Sequence, residues 1–170
     1  MKINLFGGPG IGKSTVAYFV AAELKSRGLN VEVVQEYAKE VVYEGVNLKL
    51  VDQTFQNRIL MEQIRRELVF INRADYIITD SPIWLNLFYN GDENKTVLSI
   101  LTTENEDLNF FLTRSNENFE TKGRSHNEQE SIEIDSKMLT FLEKHNIPLI
   151  KVEGDSRTKA MKIVDKILKR

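Results

Sequence analysis

The sequence predicts an α/β fold in which a five-stranded parallel sheet is covered by helices on both faces. Three observations lead there. Strand-like apolar runs alternate with segments of helical period along the whole of the 170 residues. A glycine-rich loop, Gly7-Gly8-Pro9-Gly10-Ile11-Gly12-Lys13-Ser14, joins the first run to the first helix. The chain has no cysteine, so neither disulfides nor thiolate metal sites hold it together, and its length is enough to build an ordinary apolar core.

The elements follow in order. A strand is expected from Lys2 to Phe6, then the loop, then a helix from Thr15 to Arg27 with Val16, Phe19, Val20 and Leu24 at helical spacing and Gly28 as its stop. A second strand covers Val31 to Gln35. A long helix from Val51 to Arg73 carries the apolar stripe Leu60, Ile64, Leu68 and Ile71, with Arg58, Glu62, Arg65 and Arg66 mostly off it. The third strand is Tyr76 to Thr79. Between Asn86 and Asp107 only a turn at Asn90-Gly91-Asp92 and a short helix from Thr96 to Leu101 are read. The fourth strand is Leu108 to Thr113, and the polar stretch Ser115 to Asn127 has almost nothing to bury and reads as a mobile loop. A helix from Glu128 to His145 buries Ile132, Met138, Leu139 and Leu142, a fifth strand runs from Leu149 to Val152, and a last helix from Ser156 to Lys169. With no repeat and no linker, residues 1–170 are expected to form one domain with a lid at about 114–127.

Bulk charge narrows the partners. Twenty-three basic residues against 25 acidic give a net charge of −2, which offers no overall attraction to nucleic acid or to a membrane. Met1-Lys2 leads straight into a strand, and no apolar stretch approaches the length of a membrane span, so a soluble cytoplasmic protein is expected.

The loop carries the chemistry. A glycine, four residues and Gly-Lys-Ser let successive backbone N–H groups turn towards phosphates, with Lys13 adding positive charge and the Ser14 hydroxyl serving Mg²⁺. The helix that follows aims its positive end at the same point. ATP is the expected ligand. Ligands in open parallel sheets sit at the carboxyl ends of the strands, and three charged positions fall there. Asp80 ends the third strand, where a second acidic group holds Mg²⁺ directly or through water; otherwise it caps a helix opening at Pro82. Glu36 ends the second strand and would orient and deprotonate an acceptor hydroxyl, or else merely complement a helix dipole. Arg114 ends the fourth strand and, with Lys122 and Arg124, makes a basic lid; solvated loop charges are the alternative. His126 and His145 stand alone and take no role. Trp84, Phe88 and Tyr89 read as packing residues before base-stacking ones.

Other phosphate-loop functions fit less well. The Asn94-Lys95-Thr96-Val97 segment lacks the aspartate of a guanine-specific switch, and Asp80-Ser81-Pro82-Ile83 lacks a γ-phosphate-sensing glycine. A ring ATPase carries a further helical domain after the core, whereas one helix follows the fifth strand here.

Taken in order, Gly7 to Ser14, Glu36-Tyr37-Ala38-Lys39-Glu40, Thr79-Asp80-Ser81-Pro82 and Arg114 with Lys122-Gly123-Arg124 resemble the small P-loop kinases related to bacterial ribosylnicotinamide kinases. The chain also resembles phage-encoded proteins labelled AAA-type ATPases, a group that includes nucleotide kinases and kinases of 5-hydroxymethyluracil in DNA. That resemblance implies the three-layer P-loop NTPase fold, ATP and Mg²⁺ as cofactors, and phosphoryl transfer to a nucleoside, nucleotide or modified pyrimidine. It implies Gly8, Gly10, Ile11, Gly12, Lys13, Ser14 and Thr15 for the ATP phosphates, Ser14 and Asp80 for the metal, Glu36 for the acceptor, and Arg114 and Arg124 for the lid. Many deoxynucleoside and thymidylate kinases place an arginine after the acidic residue, where this chain has Ser81-Pro82. A small nucleoside-like acceptor is the leading expectation. The alternatives are DNA, contacted through Lys39, Arg58, Arg65, Arg66, Arg114, Lys122 and Arg124, and a module that binds ATP without phosphoryl transfer.

Overall fold

A computed structural model describes residues 1–90, 107–114 and 127–170. Its centre is a five-stranded sheet in the order β2-β3-β1-β4-β5, formed by Lys2–Phe6, Val31–Val34, Tyr76–Thr79, Leu108–Leu112 and Ile150–Val152 in chain order. All four pairings are parallel, with Asn4 opposite Thr79 on one side of β1 and Asn4 opposite Asn109 on the other. Six helices are seen among the described residues: α1 Lys13–Ser26, α2 Tyr37–Tyr43, α3 Gln53–Leu68, α4 Ile83–Asn90, α5 Glu128–Lys144 and α6 Ser156–Leu168.

Period-two alternation sorts the strand residues into two cores. Ile3 and Leu5 of β1 and Leu108, Phe110 and Leu112 of β4 face one way, against Val16, Val20 and Leu24 of α1 and Ile163 and Ile167 of α6. Phe6 and Phe111 face the other way, against Leu60 of α3, Trp84 and Leu87 of α4, and Met138 and Leu142 of α5. The expected three layers are therefore present. In this order the chain reverses direction across β1, with β3 on one side and β4 on the other, and a sheet binds ligands outside its carboxyl ends at such a switch point. The glycine-rich loop leaves β1 there.

Helix faces differ from the pattern read in the sequence. In α3 the buried residues are Ile59, Leu60, Gln63 and Glu67, whereas Leu68 is exposed. Polar groups occupy part of that face because they have partners: Gln63 Oε1 accepts from Tyr37 N at 3.2 Å, and Glu67 pairs with Lys2 at 3.6 Å. Phe19 of α1 and Ile132 of α5 are also exposed, their expected places taken by Ala17 and Ala21 and by Ser131. α2 and α4 are anticipated only in the alternative roles of Glu36 and Asp80, each at the start of a helix. Both are short: α2 buries only Val41, and α4 buries Ile83, Trp84, Leu85 and Leu87 together with the polar Asn86 while Tyr89 is exposed, so neither is long enough to display its period clearly. The lid expected at about 114–127 falls outside the described residues except for Arg114 and Asn127. Asn127 is the N-cap of α5 and forms a reciprocal capping box with Glu130. The short helix expected at Thr96 to Leu101 also lies outside the described residues. None of the described helices is long and apolar enough to cross a membrane.

Candidate functional site

The loop after β1 is shaped by its glycines. Gly7, Gly10 and Gly12 have φ of 139°, 75° and 88°, a region that costs side-chain-bearing residues strain, and Gly12 caps α1 in the left-handed conformation. The Lys13 side chain folds back over the loop, donating to Gly7 O at 2.7 Å and Gly8 O at 3.1 Å, and is 8% exposed. Ile11 is buried beneath the loop, and Thr15 is exposed on the first turn of α1.

Direct pairing of β3 with β1 brings Asp80 beside the loop. The Ser14 hydroxyl donates to Asp80 Oδ2, while Oδ1 of the same carboxylate, in a residue only 3% exposed, has no hydrogen-bond partner among the described residues. A buried carboxylate oxygen left without a partner is costly. A hydroxyl and a carboxylate with one unsatisfied oxygen form a hard-oxygen set suited to Mg²⁺, which keeps several waters and takes one or two protein ligands. The two residues expected to hold the metal are thus together and fit it.

Glu36 is the N-cap of α2, although its side chain makes no capping bond to that helix. It borders two cavities. One, of about 260 Å³, is lined by Lys13 and Pro9 of the loop, Glu36, Lys39 and Val42 around α2, Leu48 and Lys49, Gln56 and Ile59 of α3, and Ser81, Leu85, Asn86 and Tyr89 around α4. The other, of about 310 Å³, is lined by Ser14, Asp80, Glu36, Lys39 and Glu40 together with Gln35, Tyr18 and Tyr43. Glu36 and Lys39 therefore line both the cavity that holds Ser14 and Asp80 and the chamber between α2, α3 and α4. Of the three expected aromatics, Tyr89 reaches this chamber. Trp84 is buried in the core against His145, and Phe88 packs on Phe141. Gln56, Asn86 and Lys49 were not foreseen, because they lie on unrelated elements and no sequence spacing links them.

α2 is anchored from α3. The Arg66 guanidinium chelates Glu40 with two bonds of 2.7 Å, donates to Glu62 at 3.0 Å and lies 4.8 Å from the centre of the Tyr37 ring. Hydrogen bonds from Arg66 hold the Glu40 carboxyl below its ordinary range, and those from Arg65 and then Arg66 bring Glu62 down to about 2. A depressed carboxylate stabilises the fold fully above its ordinary pKa, near 4.5, and ceases to do so as pH falls towards the depressed value. Replacing Arg66 by Met is therefore expected to cost most stability above pH 4.5, the gap to the parent shrinking towards pH 2. Urea unfolding of both proteins at stepped pH checks this, and a gap that stays constant over that window contradicts it.

Arg114 is drawn to the loop. Its Nε donates to Asp135 Oδ2 at 2.6 Å, and its Nη2 donates to Ser131 Oγ and to Pro9 O at 3.3 Å. Lys122, Arg124 and His126 lie outside the described residues. Among the described residues no cluster of three His, Cys, Asp or Glu side chains suits a metal.

A family model described as an AAA domain matches residues 2–159. No curated protein matches the chain.

Proposed function

Because the chain belongs to the AAA-domain family, a P-loop nucleotide-binding group, we propose that it is an ATP- and Mg²⁺-dependent kinase. In this reading it passes the γ-phosphoryl group to a hydroxyl of a small nucleoside-like acceptor. The observation that carries the reading is the chamber beside Glu36. Its lining joins Lys13 and Pro9 of the loop to the apolar Val42, Leu48, Ile59 and Leu85 and to the polar Lys39, Lys49, Gln56, Ser81 and Asn86. Apolar surface interleaved with hydrogen-bonding groups beside the loop suits a nucleoside-like acceptor, and hydrolysis by water has no need of such a space.

The acceptor oxygen bonds to the γ-phosphorus as the bond from that phosphorus to the β,γ-bridging oxygen breaks. ADP departs with the electron pair, and the hydroxyl proton passes to Glu36. Lys13 offsets the charge of the transferring group from the loop, and Arg114 reaches the same loop at Pro9 O. Ser14 and Asp80 would hold Mg²⁺, which when bound neutralises phosphate charge. A small acceptor is favoured over DNA because Arg65, Arg66 and Arg114 are already paired with Glu62, Glu40 and Asp135 and the net charge is −2.

Incubation with γ-labelled ATP and a panel of nucleosides, nucleoside monophosphates and hydroxymethyluracil-containing single-stranded DNA tests the proposal. A labelled small-molecule product is expected. Label confined to DNA overturns the choice of acceptor, and label confined to inorganic phosphate across the panel overturns the kinase.

A further inference from the structure

Gly8 occupies a position that the phosphate-loop pattern leaves free, and it is not among the glycines with positive φ. Its lack of a side chain has another cause. A Cβ there would stand 2.7 Å from Asp135 Oδ1, 2.7 Å from Ser131 O and 3.0 Å from Arg114 Nη2. The loop is pressed against α5, and the contact is polar throughout. Gly8 N–H donates to Asp135 Oδ1, while the other oxygen of that carboxylate takes Arg114 Nε. The Ser131 hydroxyl donates to Pro9 O and accepts from Arg114 Nη2. Ser131 is fully buried, and the Asp135 and Arg114 side chains are only 14% and 22% exposed, so this pair is less screened than an ordinary surface bridge.

A carboxylate at the rim of a site for a polyanion repels the ligand unless a cation offsets it. Here the cation is Arg114, and Asp135 also decides where that guanidinium points. We propose that Asp135 is a positioning residue of the transfer site, one oxygen fixing the phosphate loop through Gly8 and the other holding Arg114 against it. The proposal rests on the kinase reading for its effect on transfer, while its effect on the loop stands independently of that reading.

Two measurements separate the cases. Asp135→Asn keeps the shape and one acceptor but removes the counter-charge, so KM for ATP is expected within about threefold of the parent and kcat at least about tenfold lower. Parent-like values of both, or a raised KM with unchanged kcat, overturn the proposal. Equilibrium binding of a non-hydrolysable ATP analogue to Asp135→Ala, Arg114→Ala and the double variant is the second measurement, and it needs no acceptor. The two losses are expected to be non-additive, as in residues that act together; additive losses overturn the proposal, even if the parent transfers phosphate to nothing. Should Asp135→Ala fail to fold, the same cycle is run with Asp135→Ser.

Discussion

Lys13→Ala is expected to weaken ATP binding by about 100-fold or more, equivalent to about 2.7 kcal/mol. Lys13 is 8% exposed and its ammonium is held over the loop by Gly7 O and Gly8 O, where it would meet phosphate oxygens with little water to screen it. Charge-assisted hydrogen bonds of that kind contribute about 1.5–3 kcal/mol each. Fold stability should fall as well, because the substitution leaves the buried carbonyls Gly7 O and Gly8 O without their donor. Calorimetric titration with a non-hydrolysable ATP analogue, alongside a melting curve, checks both statements. Affinity within about threefold of the parent would show that the loop does not hold the triphosphate in the manner inferred.

Glu36→Gln should have the complementary effect, with ATP affinity nearly unchanged and transfer slowed by about 10²–10⁴-fold, the usual contribution of a general base. The substitution keeps the size of the side chain and leaves Lys13, Ser14 and Asp80 in place, so the donor side of the site is untouched. Steady-state transfer and analogue binding measured on one preparation give the two numbers. Full transfer activity in the variant would remove Glu36 from the mechanism and leave the chamber without a base.

Much of this arrangement was legible in the sequence because local patterns encode it. β1 and β3 have the bounds expected, since short apolar runs flanked by turn residues define them, and the loop motif names Lys13 and Ser14 outright. Asp80 was expected at a strand end, and the pairing of β3 with β1 brings it to Ser14. The failures share a physical cause. A short helix such as α4, which buries Asn86 among apolar side chains, gives its period away poorly, and in α3 the buried Gln63 and Glu67 replace apolar residues because partners on other elements satisfy them. The brace on the loop was invisible for the same reason: 127 positions separate Gly8 from Asp135. Its one trace in the sequence is the additional glycine at a motif position that any residue can fill. Arg114, expected in a lid, is bound into that brace, and residues 115–126 of the expected lid lie outside the described residues.

Transfer of the γ-phosphoryl group from the loop to an organic oxygen in the neighbouring chamber can be watched in a single-turnover reaction with γ-labelled ATP, excess enzyme and a nucleoside mixture, followed by separation of labelled organic phosphate from labelled inorganic phosphate. Most of the label is expected in an organic product for the parent, and Glu36→Gln is expected to bind the ATP but leave it uncleaved. Label released only as inorganic phosphate, at the same rate in both proteins, would contradict it.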